Sequence, residues 1–340
     1  MNFKPFLKLI RNHQLSALTA ASALLKPFYS LLFVVAAKDS GLFDLLANKP
    51  RDFEQLAQVY CKDAKAREAL QAWLHLGVRL GCLQLGAKGY ALKGLAGKLA
   101  RPHNDATLAL LQEVAGLHYN LISQTPQKLL KGELWTLDDQ DGEIIARSSR
   151  ILEAFQTQAI DRFFPASRAA TLLEIGCGSG IYIRHAATRN PSLVVLGLEL
   201  QPKVADLARA NIAQWGLQDR VTIETGDIRE RRPDQRFDIV TLYNNIYYFP
   251  VEDRVSLLQH LRQFVRPGGF LLLVTCCQQG TLGTEALNLW GAATATAGRL
   301  PGKDELIQQL RQAGYQNVRA LRLLPGEQFF AFQGHSEDNA

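Results

Sequence analysis

The sequence is poor in the spacings that metal and redox chemistry need. Its five cysteines stand at 61, 82, 177, 276 and 277, none at a zinc-like or redox-like separation. Cys276 and Cys277 adjoin at the end of a predicted strand, where buried free thiols are the ordinary outcome. No metal is expected, and a reduced cytoplasmic setting fits best. A strong basic face is also lacking. The net charge is +6, but Lys and Arg are scattered among acids, and the densest cluster, Arg229, Arg231 and Arg232, is broken by Glu230. It reads as a solvated face, which argues against nucleic acid as a partner. Long apolar runs are short of what a membrane requires. Lys4, Lys8 and Arg11 precede a weak Ser/Thr/Ala-rich stretch, Leu15 to Leu25, and Lys26 interrupts it before "PFYSLLFVVAA". Neither piece approaches the roughly 20 apolar residues of a span. Two buried helices at a subunit interface are expected instead, with no membrane partner. Internal repeats and low-complexity tracts are absent.

What is present is ordinary globular material: 340 residues, 47% apolar and 21% charged, enough for two domains that each bury a core. Residues 14 to 100 read as helices closed by a hairpin. Asp52 and Asp63 cap two helical patterns, the second with Leu70, Trp73, Leu74, Gly77 and Leu80 at helical spacing. Two short alternating runs then flank the turn at Ala87 to Gly89. Helix, helix, two-stranded wing is the winged-helix order. Thr107 to Leu130 and Glu143 to Phe164 read as two long helices around a polar, acidic loop. From Thr171 onward short apolar strands alternate with amphipathic helices: "TLLEIG", "LVVLGLEL", "VTIETG", "FDIVTLY" and "GFLLLVT", each followed by a helix, then "NVRALRLL" and "EQFFAFQ" as a terminal hairpin. The fold class expected is α/β, a Rossmann-like doubly wound seven-stranded sheet with a helical, winged-helix N-terminal domain.

The sharpest motif is Glu174-Ile-Gly-Cys-Gly-Ser-Gly180, directly after a strand and opening a helix. Its glycines, Gly176, Gly178 and Gly180, let the backbone turn tightly and approach a ligand without a Cβ in the way. The spacing is G-x-G-x-G, not the G-x-G-x-x-G of dinucleotide binding. Glu199 ends the second strand, where an acid can accept hydrogen bonds from both ribose hydroxyls. Asp227 ends the third in "TGDI", beside Ile228, where it can accept from an adenine amine. Asn244 and Asn245 end the fourth. A strand-end acid taken singly is as well explained as the cap of the next helix; four strand ends in order are not.

This order resembles the class I S-adenosylmethionine-dependent methyltransferases over Thr171 to Phe332, including the "RPGG" turn before the fifth strand. The resemblance implies that Glu174, Gly176, Gly178 and Gly180 face the methionine part of the cofactor, Glu199 its ribose, Asp227 with Ile228 its adenine, and Asn244 its amino-acid end. S-adenosylhomocysteine would be the product, and no metal is implied. A winged helix joined by long helices to such a core resembles the small-molecule O-methyltransferases of plant phenolics, polyketides and carotenoids. That implies a dimerisation domain over 1–104, linking helices roofing the substrate over 105–166, and a cofactor-binding domain over 167–334. The remaining 335–340 are expected to form a disordered tail. A homodimer is the assembly implied.

The O-methylating members of that group carry a histidine base after the fourth strand. Here the position falls on Tyr247-Tyr248-Phe249 in "LYNNIYYFP", which holds no histidine, cysteine or carboxylate. Tyrosine, with an ordinary pKa near 10, is a poor base at neutral pH. Three explanations stay open. His118, in "GLHYN" with Tyr119, supplies the base; or the acceptor ionises easily; or it needs no deprotonation. For the last, a thioether attack creates a sulfonium that Tyr247, Tyr248, Phe249 and Trp290 can stabilise as an aromatic wall, although an aromatic run after a strand is also ordinary core. In length and plan the chain is similar to the bacterial methylthiohydroxybutyrate S-methyltransferases of dimethylsulfoniopropionate synthesis. A hydroxy-acid acceptor wants a cation for its carboxylate, and Arg299 or Arg147 are the candidates. Cys276 to Pro301 is long enough for a lid flexing at Gly280, Gly283 and Gly291.

The alternatives are O-methylation of a phenolic, polyketide or carotenoid hydroxyl, C-methylation of a prenyl diphosphate, and a winged-helix DNA-binding regulator. The last is disfavoured because the helix carrying Lys65, Arg67 and Arg79 also holds Asp63, Glu68 and apolar residues. The D/N-P-P-Y/F/W run of amino-methylating enzymes is missing after the fourth strand. A small-molecule acceptor is therefore expected.

Overall fold

The computed structural model describes residues 4–337 and divides into two compact units: Met1–Leu117 with Glu143–Ser149, and His118–Gly142 with Arg150–Ala340. The chain passes from one to the other three times, where the sequence suggested single boundaries near 104 and 166.

In the first unit, Asp52 and Gln55 form a reciprocal capping box that starts the helix Phe53–Tyr60, and the Asp63 carboxylate accepts from Ala66 N to start Ala64–Leu80. These caps satisfy amides that the first helical turn leaves orphaned. The strands β1 (Leu83–Gly86) and β2 (Gly89–Leu92) follow as an antiparallel hairpin, and Arg51 bridges to Tyr90 on its far side. Gly89 is required there: its φ is +105°, and a Cβ would lie 2.2 Å from the Arg51 carbonyl oxygen. Phe33, Leu42, Phe43, Leu56, Leu74 and Leu83 form the core of this unit.

Two expectations change here. Lys26 and Pro27 do not split the N-terminal apolar region, which forms one helix, Gln14–Asp39, with Pro27 inside it. By length and composition it is long and apolar enough to cross a membrane. It is not buried along its length either. Only Phe33, Val34 and Ala37 are buried, and Leu18, Leu24, Leu25, Phe28 and Tyr29 are exposed. The long helical patterns are also interrupted, Thr107 to Leu130 by a wider π turn at Val114–His118 and Glu143 to Phe164 by a 3-10 turn at Ser149–Leu152. A π turn carries an extra residue per turn, which periodicity alone does not reveal.

The second unit holds a seven-stranded sheet. Its strands are β3 (Ala170–Ile175), β4 (Leu193–Glu199), β5 (Val221–Thr225), β6 (Phe237–Tyr243), β7 (Val265–Cys276), β8 (Gln316–Arg322) and β9 (Phe329–His335). Their order is β5-β4-β3-β6-β7-β9-β8. The first five are parallel; β9 inserts antiparallel between β7 and β8. The reversal of winding between β3 and β6 opens a crevice at their carboxyl ends, where doubly wound sheets bind ligands. Side chains alternate between two layers: Leu172 and Ile239 point into one, Leu173 and Val240 into the other. Both layers are apolar because helices cover both faces.

Contrary to expectation, no helix joins β5 to β6; residues 226–236 form an irregular link rich in Arg. Within it Arg229 pairs with Asp227 and Arg231 with Glu224, so two of the three arginines of the cluster are held by acids. The tail is ordered further than expected. His335 closes β9, and Ser336 exchanges hydrogen bonds with Gly268 and Gly269. Residues 338–340 of that tail lie outside the described residues. His118–Gly142 is fastened within this unit by Trp135, whose N–H donates to the Ala293 carbonyl at 2.8 Å and whose indole donates to Thr125 at 2.9 Å.

Candidate active site

The turn after β3 carries three left-handed glycines, Gly176, Gly178 and Gly180, with φ of 65°, 55° and 79°. A side chain is disfavoured at such angles. At Gly176 a Cβ would also lie 2.6 Å from Asn245 Nδ2, which donates to the Ile175 carbonyl and pins the end of β6 to the loop. At Gly178 a Cβ would meet nothing within 4 Å, so the loop leaves open space there.

Glu199, at the end of β4, accepts from Gly178 N at 3.0 Å and Gln201 N at 3.1 Å, one bond per carboxylate oxygen. Each oxygen keeps a lone pair for a further donor. Asp227 is more heavily engaged. Arg229 Nε lies 3.0 and 2.9 Å from its two oxygens and Nη2 donates at 2.5 Å, which with the Arg229 N–H holds the Asp227 carboxyl below its usual range. Arg229 also stacks over the Phe249 ring at 5.8 Å. Ile228 is buried in the layer with Leu198, and its carbonyl meets His260 Nε2.

Glu174 is 1% exposed, and neither carboxylate oxygen has a hydrogen-bond partner. Burial pushes its pKa well up. Asn244, left-handed at φ 51°, anchors its N–H on Val274 O and leaves Oδ1 buried without a partner. An open glycine loop, a carboxylate with spare lone pairs and orphaned acceptors fit a ligand that brings donors. S-adenosylmethionine, with its ribose hydroxyls and ammonium, is such a ligand.

After β6, Ile246–Tyr248 forms a single 3-10 turn that buries Tyr247, with the Tyr247 and Tyr248 rings 4.9 Å apart. The Tyr247 carbonyl accepts from Gly298 N, and Gly298 packs against Gly291, where a Cβ would lie 2.4 Å from the Gly298 oxygen. Gly291 is thus a close-packing position in the helix Leu282–Ala293, not a flexible point, and Gly280 is similarly tight against Thr284. Trp290, its neighbour, is 2% exposed with its indole N–H unpartnered. The Tyr247 carbonyl and Gly291, the residue after Trp290, thus both meet Gly298.

Of the remaining candidates, both arginines are held by carboxylates. Arg299 donates both terminal nitrogens to Glu305, each at 2.8 Å, so its fork is filled; the pairing lowers the Glu305 carboxyl and raises the guanidinium. Arg147 belongs to the other unit, where it pairs with Asp105 at 2.5 and 3.0 Å. His118 is buried at the end of the π turn, and Tyr119 beside it is 54% exposed. Sequence reading missed Arg254. It is fully buried and ties Phe249 O to Arg299 O through Nε at 3.2 Å and Nη2 at 2.6 Å. Burial lowers its pKa to about 10. Gln156, wholly buried with both amide atoms unpartnered, was also missed, since a glutamine in a helix carries no sequence mark of facing inward.

The chain has the fold of the class I S-adenosylmethionine-dependent methyltransferases. Over nearly its whole length it superposes on the mitomycin 7-O-methyltransferase, with a TM-score of 0.79 at 20% identity, covering 96% of this chain and 99% of that one. Human N-acetylserotonin methyltransferase, solved in complex with SAM, gives 0.73 at 15% identity over 95% and 98%. More particularly, residues 172–269 match the family described as "Methyltransferase domain". The 27-O-demethylrifamycin SV methyltransferase of Amycolatopsis mediterranei is 32% identical over 129 residues, 37% of this chain and 46% of that protein. The ubiquinone biosynthesis O-methyltransferase of Nitrosomonas europaea is 28% identical over 119 residues, 34% of this chain and 48% of that protein. The chain spans less than half the length of these curated relatives.

Proposed function

We propose that the protein transfers a methyl group from S-adenosylmethionine to a small-molecule acceptor. The observation that carries this is the open left-handed loop at Gly178, flanked by Glu174 and Glu199 at the ends of adjacent parallel strands. When bound, S-adenosylmethionine supplies a methyl on a positively charged sulfur, so an acceptor needs only a lone pair held in line. Glu199 accepts from the ribose hydroxyls with its spare lone pairs. Asp227 receives the adenine amine as Arg229 yields part of its grip, and Ile228 packs beside the ring. Asn244 Oδ1 serves the amino-acid end.

The acceptor we favour is a nucleophile that carries no proton, such as the thioether of a 4-methylthio-2-hydroxybutyrate-like acid in dimethylsulfoniopropionate synthesis. Supporting it is the turn after β6, where Tyr247, Tyr248 and Phe249 supply aromatic faces for a developing sulfonium and no residue from Leu242 to Pro250 is a neutral-pH base. Rate then comes from alignment and exclusion of water. A second reading, methylation of a hydroxyl with His118 as base, is favoured by the burial of His118 and by a relative and a structural neighbour named as O-methyltransferases.

The test is a screen of labelled methyl transfer onto thioether acids, phenols and prenyl diphosphates. A rate flat from about pH 6 to about 9 supports the proton-free acceptor. A steep dependence near neutrality that disappears in His118→Ala supports the hydroxyl.

The helix–helix–hairpin order of the first unit supports reading it as a winged helix used for homodimerisation, with the exposed row Leu18, Leu24, Leu25, Phe28 and Tyr29 as the apolar surface that a second copy covers. Five unpaired cysteines suit a reducing, cytoplasmic location.

A further inference from the structure

Two acids at the ends of adjacent strands are held in opposite states. Glu199, at the end of β4, accepts one bond per oxygen and keeps a lone pair on each. Asp227 follows two residues after Thr225, the β5 partner of Glu199, and Gly226 N donates to the Glu199 carbonyl at 2.9 Å, so the two acids are neighbours along the edge of the crevice. The Asp227 carboxylate is saturated by a single residue. Its Oδ1 accepts from the Arg229 N–H and from Nε, and its Oδ2 from Nε and Nη2. A carboxylate offers about four such positions. An incoming amine therefore meets Asp227 with its acceptors already taken.

The backbone around this pair is fixed from several sides. His260 Nε2 donates to the Ile228 carbonyl at 2.9 Å, the Ile228 side chain is buried, and Glu230 N and Arg231 N reach back to the Asp227 and Ile228 carbonyls at 3.1 and 3.3 Å. The Arg229 side chain, by contrast, is 56% exposed. Its guanidinium lies over the Phe249 ring at 5.8 Å while it fills Asp227. A flat, delocalised group that donates N–H to an acid and lies on an aromatic ring presents the two features by which an adenine is held, its amine and its face. The charges of Glu230 and Asp253 also act on the guanidinium, so it has acids to turn to on leaving Asp227.

Resting on the methyl-donor reading above, we propose that the Arg229 guanidinium occupies the donor's adenine seat in the free protein, and that adenine enters only by displacing it. The amine replaces the guanidinium on Asp227, the purine ring replaces it on Phe249, and the side chain turns toward Glu230 and Asp253. Arg229 thus governs donor capture and not donor retention. Only molecules with the side chain away are competent, so apparent association is slowed by that fraction, while a departing ligand meets no added barrier. Arg231, held by Glu224 in the same link, brings the same charge without the seat.

The experiment is calorimetric and stopped-flow binding of 5′-methylthioadenosine to the full chain, a ligand that carries adenine and ribose without the amino-acid end and without net charge. Arg229→Ala is expected to bind it roughly three- to thirtyfold more tightly, the worth of one exposed ion pair and one stacking contact. The gain should lie in the association rate, with dissociation unchanged. Arg229→Lys keeps the charge but can neither span both oxygens nor stack as a plane, so it should move the same way by less. Arg231→Ala removes an equal charge from the same link and should match the unaltered protein. Affinity in Arg229→Ala equal to or below that of the unaltered chain overturns the proposal, as does an equal gain in Arg231→Ala or a gain confined to dissociation; the methyl-donor reading stands in each case. Failure of both 5′-methylthioadenosine and S-adenosylhomocysteine to bind the unaltered chain and Arg229→Ala overturns both.

Discussion

The guanidinium of Arg254 donates to the carbonyl oxygen of Arg299 at 2.6 Å from a fully buried position, and the same side chain reaches Phe249 O. One residue thereby couples the aromatic turn after β6 to the segment that precedes the helix Lys303–Gln312. Arg254→Met is expected to strand both carbonyls at a cost of roughly 1–3 kcal/mol each, partly offset because a poorly solvated charge is removed. Urea denaturation measures the loss. In an activity assay the acceptor's KM should rise more than the donor's, since the turn loses its anchor while the glycine loop does not.

Gly178 and Gly216 make a matched pair. Both are left-handed, at φ 55° and 67°, and at neither would a Cβ meet an atom within 4 Å. Alanine at either should therefore cost a similar amount of stability, about 1–2 kcal/mol. Only Gly178→Ala should weaken S-adenosylhomocysteine binding, by tenfold or more on the order of 1.4 kcal/mol. Equal losses of affinity in the two variants would remove the loop from the donor site.

Acidification should loosen the second unit in a defined direction. Glu305 and Asp227 both titrate below their usual values, the first through Arg299 and the second through Arg229. A depressed folded-state pKa means that the stabilisation is present above the unfolded value and is lost as pH falls through the folded one. The loss therefore begins below the ordinary glutamate value of 4.5 and the ordinary aspartate value of 3.8. Thermal melting of Glu305→Gln against the unaltered chain should show the two converging as the pH drops.

The exposed apolar row on Gln14–Asp39 should be covered in solution. Sedimentation is expected to give a dimer, and Leu24→Glu with Phe28→Glu a monomer that keeps its donor affinity. Flotation with lipid vesicles should leave the unaltered protein in the soluble fraction; co-flotation would assign the helix to a bilayer instead.

Strands β3 to β7 were legible because each is an apolar run bounded by Gly, Pro or charge, and a strand buried on both faces needs little else. The strand-end acids and the glycine loop were legible for the same reason, since their positions are fixed by where the runs stop. Other features depend on pairing across distant segments. Nothing local to "EQFFAFQ" says that it enters between β7 and β8. Nothing local to Arg299 says that Glu305 fills its fork. Lys26 and Pro27 look like a helix break, yet on an exposed face the lysine is solvated and the helix runs through. Gln156 and Arg254 look like surface residues, and only packing from several elements makes them interior.

The order of the segments along the chain also bears on synthesis. Because the first unit is completed by Glu143–Ser149, and His118–Gly142 belongs to the second, a ribosome finishing the N-terminal unit has already emitted part of the next one. The strip around Trp135 must then wait for Thr294, its bridge partner, far downstream. Nascent chains halted before that point should present Trp135 to chaperones, and a clone cut at residue 150 would discard a piece of the very unit it was meant to isolate.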